Sequence, residues 1–356
     1  MNDQIKVDYI IVGQGLAGSA IAIQLLKIGK KIVVIDQTEK NRASSVAAGL
    51  FNPITGKKMV KTWMADTLFP YLHDFYREAE SLTKESFFHP MPLYRPFISV
   101  EEQNEWMAKS GDAAYTSYID RVITKPSFAD VKDVFGGLLL KQCGYVDTVK
   151  YMTAVRHLVQ NNNYLLQEEF DFQKLSLDNG NIAYKKFEAA RIIFCNGTEI
   201  NPIFKWLPVK PLKGETLTLQ ADTSSSIIIN RGVYILPLAE NRWRVGATYN
   251  FNDNDPAITE SSRNELVEKV NAISAFPYAV MNQQWGFRPT TPDRRPILGE
   301  HPEMKSFFVF NGLGTKGVSL APYFSKVLIH LTENQVPVNK EVDIERYKSL
   351  YSGSSL

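Results

Sequence analysis

The chain has 356 residues, with 40 Lys and Arg against 38 Asp and Glu, five His and two Cys. The formal net charge of 40 − 38 = +2 creates no strong field that would recruit nucleic acid or an anionic membrane. With 44% hydrophobic and 22% charged residues, the composition is typical of a globular protein and argues against disorder. At roughly 150 residues per domain, the length indicates about two domains.

Signals for metals, disulfides and membranes are missing from the sequence. Cys143 and Cys195 lie far apart, which excludes a disulfide framework and indicates a reducing compartment, so we expect a cytoplasmic protein. The five histidines are scattered without the spacing of metal ligands, so we expect no metal site. The N-terminus has no leader pattern and no run of about 18 apolar residues occurs, so we expect no membrane association.

The first 36 residues have the pattern of a dinucleotide-binding βαβ unit. The apolar run Val7–Val12 predicts a strand that is buried on both faces. The glycine-rich segment Gly13–Gly18 follows, then a helix predicted over Ser19–Ile28, a second strand over Lys31–Ile35, and Asp36. A glycine-rich turn of some other α/β protein is the alternative, but the order of these parts favours dinucleotide binding.

Each part of this unit has a physical task. Gly13 permits a tight turn, Gly15 lets the backbone approach a pyrophosphate, and Gly18 lets helix and strand pack closely. The helix N-terminus offers N–H groups to the phosphates. The carboxylate of Asp36 suits ribose hydroxyls, which favours FAD or NAD over NADP.

Small and hydroxyl-bearing residues come next, in the segment Asn41–Gly49. Such a segment lets a loop and a helix start wrap around a phosphate or a flat ring. The alternative is an ordinary helix start with Ser44 or Ser45 as the N-cap.

Together with Gly13–Gly18 and Asp36, the segment Ala43–Gly49 resembles the FAD-dependent family of D-amino-acid oxidases, which includes glycine oxidase and sarcosine oxidase. Later segments resemble the same family in the same order: Gly136–Leu140 with Gly144–Asp147, Arg191–Gly197, Pro211–Glu215, Tyr234–Pro237 with Val245–Thr248, and Trp285–Asp293 with Pro296–Gly299. The resemblance implies an α/β fold, with a Rossmann-type FAD-binding domain interleaved with a mixed-sheet α+β substrate domain. It places the FAD-binding domain at residues 1–84, 145–212 and 287–350, and the substrate domain at 85–144 and 213–286.

The resemblance also implies which residues contact FAD. They are Gly13, Gly15, Leu16, Ala17, Gly18, Asp36, Gln37, Arg42, Ala43, Ser44, Ser45, Ala48, Gly49, Asn196, Gly197, Gly312, Leu313, Gly314, Thr315, Lys316 and Gly317. Relatives of the sarcosine oxidase type attach FAD to a Cys at the position of Gly286, so we expect noncovalent FAD here.

A second glycine pattern, Gly312–Gly317, follows the strand-like Phe307–Asn311 and precedes a helix predicted over Val318–Leu331. By itself it suggests a separate nicotinamide site, but no strand with a terminal acid follows. We expect instead that this helix N-terminus faces the flavin ring and stabilises negative charge on the reduced form. Lys316 either adds a positive charge there or points into solvent.

For the substrate, the resemblance implies that Arg288 binds a carboxylate, as a guanidinium can with two parallel hydrogen bonds. The alternative is a structural pairing of Arg288 with Asp293. Tyr234 and Tyr249 are further candidates on the substrate side. Lys57, Lys58 and Lys61 belong either to a solvated turn and helix face or to a basic rim for an acidic substrate.

The predicted activity is FAD-dependent oxidation of a small amino acid or secondary amine that carries a carboxylate, of the glycine, D-amino-acid or sarcosine type. A hydride passes from the substrate α-carbon to flavin N5, the imine hydrolyses, and O2 or another acceptor reoxidises the flavin. One alternative is the FAD domain of the bifunctional tRNA wobble-uridine enzyme, which Gly312–Gly317 also resembles; the small net charge disfavours this nucleic acid partner. The other is an NAD-dependent dehydrogenase. The sequence leaves the oligomeric state open.

Overall fold

The fold was analysed in a computed structural model, which describes residues 4–37, 43–56, 59–178, 180–199, 201–223 and 225–353, apart from the side chains of Asn162 and Asp178. In chain order, the strands are β1 (Ile5–Val12), β2 (Ile32–Ile35), β3 (Leu50–Phe51), β4 (Ile54–Thr55), β5 (Val60–Lys61), β6 (Phe88–Pro90), β7 (Leu93–Pro96), β8 (Ile119–Ile123), β9 (Gly137–Leu140), β10 (Gly144–Val146), β11 (Tyr164–Leu166), β12 (Leu175–Asp178), β13 (Asn181–Tyr184), β14 (Phe187–Phe194), β15 (Lys210–Gln220), β16 (Ile228–Asn230), β17 (Tyr234–Pro237), β18 (Arg242–Gly246), β19 (Ala279–Thr290), β20 (Ile297–Glu300) and β21 (Phe307–Asn311). The helices are α1 (Leu16–Lys27), α2 (Ala43–Val46), α3 (Ala65–Thr83), α4 (Val100–Lys109), α5 (Thr148–Asn162), α6 (Glu260–Ile273) and α7 (Gly317–Asn334), with short 3₁₀ helices at Phe172–Lys174, Gly314–Lys316 and Ile344–Leu350.

The first large sheet has the order β11-β2-β1-β14-β13-β12, and β21 pairs with the second half of β14. Strands β11, β2, β1, β14 and β21 run parallel. In β1, Ile11 packs on the side of α1 and α7 while Ile10 packs on the opposite face, and both are fully buried. A parallel strand covered on both faces needs the continuous apolar run that the sequence shows.

The second large sheet has the order β19-β15-β18-β17-β16-β7-β9-β8. It is mixed, because β16 pairs with β7 in parallel while its other neighbours are antiparallel. Its outer face packs on α6, with Leu217 and Val245 in one cluster with Leu266 and Val270. The α/β fold class with a parallel sheet and a second mixed sheet is confirmed.

Alternation along these strands defines a second surface, which we call the inner face. Its residues are Lys210, Leu212, Gly214, Thr216, Thr218 and Gln220 on β15, Tyr234 and Leu236 on β17, Arg242, Arg244 and Gly246 on β18, and Asn282, Gln284, Gly286, Arg288 and Thr290 on β19. The division into two domains stays a prediction. The long strands β15 and β19 both run across its proposed boundaries near residues 212 and 287.

Some predicted helix boundaries were wrong by two or three residues. Helix α1 begins at Leu16 and not at Ser19, because Gly15 is its N-cap and the helix starts inside the glycine pattern. Helix α7 runs from Gly317 to Asn334, beyond the predicted end. Over the described part of the chain, no helix combines the length and apolar character that a membrane span requires.

Candidate cofactor and substrate site

Four parallel strands end at the same edge of the first sheet, and the predicted cofactor segments follow them there. Asp36 comes after β2, Gly13–Gly18 after β1, Asn196–Gly197 after β14, and Gly312–Gly317 after β21. The side-chain amide of Asn311 donates to the carbonyl of Gly197 at 2.8 Å, which ties two of these segments together. The carboxyl ends of parallel strands are where α/β folds bind ligands.

The glycine turn after β1 is packed so closely that side chains would not fit. Gly13 has φ +90°, and a Cβ there would lie 2.8 Å from the carbonyl oxygen of Cys195. A Cβ on Gly18 would lie 1.9 Å from the carbonyl oxygen of Gly13. Both positions therefore require glycine for backbone packing, as the sequence pattern predicted.

Gly15 differs from these two glycines because a Cβ there would meet a side chain and not the backbone. The nearest heavy atom to a Cβ at this position would be Ser44 Oγ, at 3.0 Å. Ser44 Oγ also accepts the backbone N–H of Leu16, at 3.2 Å, in the first turn of α1. The alternative in which Ser44 or Ser45 is the N-cap of α2 is wrong, because both residues lie inside this helix. The hydroxyl of Ser44 instead contacts the N-terminus of α1. At Gly15 a phosphate can reach the N–H groups of the helix start.

Asp36 is buried and linked to α5. Its Oδ1 accepts the backbone N–H of Gln14 at 2.7 Å, and its Oδ2 accepts Arg156 Nη2 at 2.8 Å. Arg156 Nε also donates to the side chain of Gln14 at 2.9 Å. The acid is therefore held at the end of β2 by its neighbours, and its contact with a ribose remains a prediction. Sequence reasoning missed Arg156, because an arginine on an amphipathic helix carries no positional signal.

The other predicted cofactor residues are distributed around this edge. Gln37 is exposed, and Arg42 lies outside the described residues. The carbonyl of Gly49 accepts the N–H of Val146 at 3.0 Å, which fixes the end of the segment that holds Ala43, Ser44, Ser45 and Ala48. Leu313 is buried and Thr315 is exposed.

The second glycine pattern lies beside the first and not apart from it. A Cβ on Gly317 would lie 2.9 Å from Leu16 Cδ1, so the starts of α7 and α1 are in contact. A Cβ on Gly314 would lie 3.7 Å from Thr290 Oγ1, at the end of β19. The Gly312–Gly317 turn therefore connects the edge of the first sheet with the inner face of the second.

Lys316 turns toward the β4–β5 hairpin. Its Nζ donates to Thr55 Oγ1 and Thr62 Oγ1, both at 3.3 Å. Burial lowers the pKa of Lys316, and the positive charges of Arg294 and Arg295 lower it further. On the same hairpin, Lys57 and Lys58 lie outside the described residues, while Lys61 pairs with Asp66 at 2.7 Å.

Arg288 lies on the inner face with its guanidinium above Gly214. A Cβ on Gly214 would lie 2.0 Å from Arg288 Nη2, so the absence of a side chain there makes room for the guanidinium. Nη1 donates to the carbonyl of Thr248 at 3.1 Å. The alternative pairing with Asp293 is wrong, because that carboxylate accepts Arg346 Nε at 3.0 Å and the N–H of Arg295. None of the described carboxylates forms an ion pair with Arg288.

The two candidate tyrosines differ in their surroundings. Tyr249 is 64% exposed, and its ring centroid lies 5.0 Å from the Arg288 guanidinium carbon. The hydroxyl of Tyr234 would lie 2.5 Å from a Cβ on Gly246, so it reaches across the inner face. Burial raises the pKa of Tyr234 to about 12, and the charges of Arg288 and Arg244 oppose this rise. Tyr234 is therefore a neutral hydroxyl near neutral pH.

Arg244 is an inner-face residue that sequence reasoning missed. It alternates with Trp243 and Val245, which are both buried on the outer face. This alternation was readable from the sequence and places a guanidinium opposite two apolar side chains. Arg244 Nη1 donates to the carbonyl of Val46 at 3.2 Å, which links the inner face to α2.

The geometry combines a helix N-terminus and a carboxylate at one sheet edge with an adjacent sheet surface that carries guanidinium groups. Such a site suits the binding of an anionic small molecule next to a dinucleotide. Within the described ranges, no group of three or more His, Cys, Asp or Glu side chains is placed to hold a metal ion.

Comparison with known proteins gives consistent matches. A family model described as FAD dependent oxidoreductase (DAO) matches residues 8–331. Protein ThiO/ThiG of Synechocystis is 26% identical over 93% of this chain and 52% of its own length. The tRNA 5-methylaminomethyl-2-thiouridine biosynthesis protein MnmC of Legionella pneumophila (strain Corby) is 23% identical over 94% of this chain and 54% of its own length. The chain thus spans about half the length of these two bifunctional relatives.

Two solved structures share the fold. Glycine oxidase from Bacillus cereus has a TM-score of 0.76 at 19% identity, covering 98% of this chain and 99% of that chain. Iminodiacetate oxidase from Chelativorans sp. BNC1 has a TM-score of 0.76 at 20% identity, covering 95% of this chain and 98% of that chain.

Proposed function

Because the chain belongs to the DAO family of FAD-dependent oxidoreductases, we propose that it oxidises a small amine or amino acid that carries a carboxylate. The observation that supports this most is Arg288, whose guanidinium lies on the inner face with a carbonyl and an aromatic ring as partners. No described carboxylate neutralises it. A guanidinium in this state binds a carboxylate with two parallel hydrogen bonds. Glycine oxidase and iminodiacetate oxidase, which share the fold, act on such compounds by their names.

The residues present fit FAD. Gly15 lies at the start of α1, where a Cβ would meet no backbone atom within 4 Å and only the side chain of Ser44, at 3.0 Å and 3.9 Å. The helix start offers N–H groups for a pyrophosphate, and Asp36 offers a carboxylate at the end of β2. The family match replaces the alternative of a nicotinamide-dependent dehydrogenase, which is wrong for this chain. Noncovalent attachment stays a prediction, which release of the flavin by acid precipitation would test.

The protein's own contribution is binding and orientation. Arg288 holds the substrate carboxylate and thereby fixes the position of the neighbouring carbon and amine. Tyr234, with its raised pKa, remains an uncharged donor or acceptor beside the bound molecule. FAD, when bound, supplies the two-electron acceptor that converts the amine to an imine, which water then hydrolyses.

Anaerobic titration of the FAD-loaded protein tests this proposal. Glycine, N-methylglycine, D-alanine and iminodiacetate are added in turn, and loss of the flavin absorption is the readout. We expect at least one of them to bleach the flavin. The variant Arg288→Ala should raise KM by about 10- to 100-fold, the equivalent of losing a charged hydrogen-bonded pair, while Arg263→Ala on the exposed face of α6 serves as control. If none of these amines bleaches the flavin, the proposed substrate class is wrong.

The match to MnmC favours a second candidate, in which the amine belongs to a modified tRNA nucleoside. The same guanidinium would then bind a carboxylate on the base. Filter binding of tRNA at 50 and 200 mM salt discriminates the two candidates, because phosphate contacts weaken steeply with salt. Tight, salt-sensitive binding supports the tRNA candidate, and its absence supports the small-molecule amine.

A further inference from the structure

The inner face has an unbalanced charge. Its described residues include the guanidinium groups of Arg244 and Arg288 and no Asp or Glu. A third arginine, Arg242, lies at the exposed start of β18 and pairs with Glu240. Glu215 is a buried carboxylate between Gly214 and Thr216 on β15, but its side chain belongs to the outer face. There it accepts hydrogen bonds from Thr259 and Gln283. Two cations on one partly buried sheet surface without a counter-charge are unfavourable unless an anion binds there.

Two buried polar atoms on the inner face have no hydrogen-bond partner in the described part of the chain. Arg244 Nε is buried and makes no hydrogen bond in the described part of the chain. Thr216 is 4% exposed, and its Oγ1 is likewise without a partner. Both side chains belong to the inner face, on the adjacent strands β18 and β15. Buried polar groups are normally satisfied, so a bound molecule is the natural partner for these two.

The register places Arg244 further along the sheet than the Arg288 guanidinium, with Thr216 and Tyr234 level with each other between them. Gly246 is paired with both Thr216 and Tyr234, and Arg244 lies two residues further along β18. The guanidinium of Arg288 lies above Gly214, two residues before Thr216 on β15. Tyr234 is within electrostatic reach of both arginines, since both charges lower its pKa.

Resting on the proposed function, we propose that Arg244 and Thr216 form a second anion subsite, so that the substrate is an amine with two acidic groups. Arg288 binds one carboxylate, Arg244 with Thr216 binds the other, and the amine lies between them near Tyr234. The missing side chains at Gly214 and Gly246 let the Arg288 guanidinium and the Tyr234 hydroxyl lie close over the sheet. A dicarboxylic amine therefore fits this face better than glycine does.

Equilibrium binding of unreactive acids tests the subsite without turnover. The FAD-loaded protein is titrated with succinate, glutarate, acetate and butyrate, and the shift in the flavin absorption spectrum gives Kd. We expect the better dicarboxylate to bind about 10- to 100-fold more tightly than the better monocarboxylate, as an additional charged hydrogen bond implies. Equal affinity for both classes would overturn the proposal.

Substitutions assign the effect to Arg244. In R244Q the ratio of dicarboxylate to monocarboxylate affinity should fall about tenfold or more, and R244K should restore part of it. The matched control is R242Q, which changes an exposed arginine on the same strand that pairs with Glu240. If R244Q lowers FAD affinity and leaves the ratio intact, Arg244 holds the cofactor and the subsite proposal is wrong.

The two proposals fail in different ways. Absence of flavin bleaching by every amine removes the proposed oxidation, while a preference for dicarboxylates in the binding experiment still supports the subsite. Bleaching by glycine and N-methylglycine with the same efficiency as by iminodiacetate and N-methylaspartate removes the subsite, while the oxidation stands.

Discussion

Gly214→Ala should displace Arg288, the residue proposed to bind the substrate carboxylate, without removing its charge. The new Cβ would lie 2.0 Å from Arg288 Nη2 and 2.2 Å from Nη1 and Cζ, whereas ordinary contact begins at 3.4 Å. The guanidinium must therefore move by 3.4 − 2.0 = 1.4 Å. Such a shift breaks at least one of two hydrogen bonds to a carboxylate, which costs about 1.5–3 kcal/mol. We expect KM, or Kd for an inert carboxylate, to rise by about 10- to 150-fold.

The fold should tolerate this change, because the contact is with the end of a flexible side chain. Steady-state kinetics with the best amine and a thermal melt of the FAD-loaded protein measure the two effects separately. Gly111→Ala is the control, since the nearest heavy atom to its Cβ would be 4.0 Å away. An unchanged KM in Gly214→Ala with FAD bound would contradict the proposal that Arg288 binds the substrate carboxylate from its position above Gly214.

Three further predictions concern the cofactor segments and a buried histidine. Gly15→Ala should weaken FAD binding by about tenfold or more, because the new Cβ would block the close approach of a pyrophosphate. The melting temperature of the apoprotein should change little, because the nearest atom to this Cβ is a side-chain oxygen, Ser44 Oγ, at 3.0 Å. Fluorescence titration with FAD measures the first effect. Gly18→Ala should instead lower the free energy of unfolding by about 2–4 kcal/mol in urea, because its Cβ would lie 1.9 Å from a backbone oxygen. His301 is fully buried, and burial lowers its pKa below the ordinary 6.5, so the unfolded state binds a proton first as pH falls. The free energy of unfolding should therefore fall below pH 6.5, by up to about 1.4 kcal/mol per pH unit, and His301→Asn should flatten this slope whereas exposed His330→Asn should not.

The position of the predicted cofactor segments at one sheet edge was predictable, because it depends on local pattern. The apolar strand, Gly13–Gly18 and Asp36 occur within 36 residues, and each has a physical requirement that restricts the residue type. The convergence of Gly312–Gly317 with this unit follows from parallel strands that end at one edge. The predicted role of Arg288 came from the resemblance to a family and not from the residues around it.

The parts that were missed depend on contacts between distant segments. Arg156 reaches Asp36 from a helix 120 residues away in sequence, and nothing in its own helix marks it. Thr216 and Arg244 become a pair only through the register of β15 with β18. Helix boundaries were wrong where a glycine served as N-cap, since Gly15 belongs to the glycine pattern and to the helix start at once.

The pairing of β1 with β14 affects the order in which the protein becomes functional during synthesis. Ile5 pairs with Phe187, 182 positions later, and Phe307 joins the same sheet beside Ile192. On the ribosome, the apolar strands β1 and β2 therefore emerge long before the strand that covers the edge of β1. Such exposed segments aggregate easily and depend on chaperones. The set of predicted cofactor segments is complete only when Gly317 has been made, so a chain truncated at residue 300 should fail to retain FAD although it contains Gly13–Gly18 and Asp36.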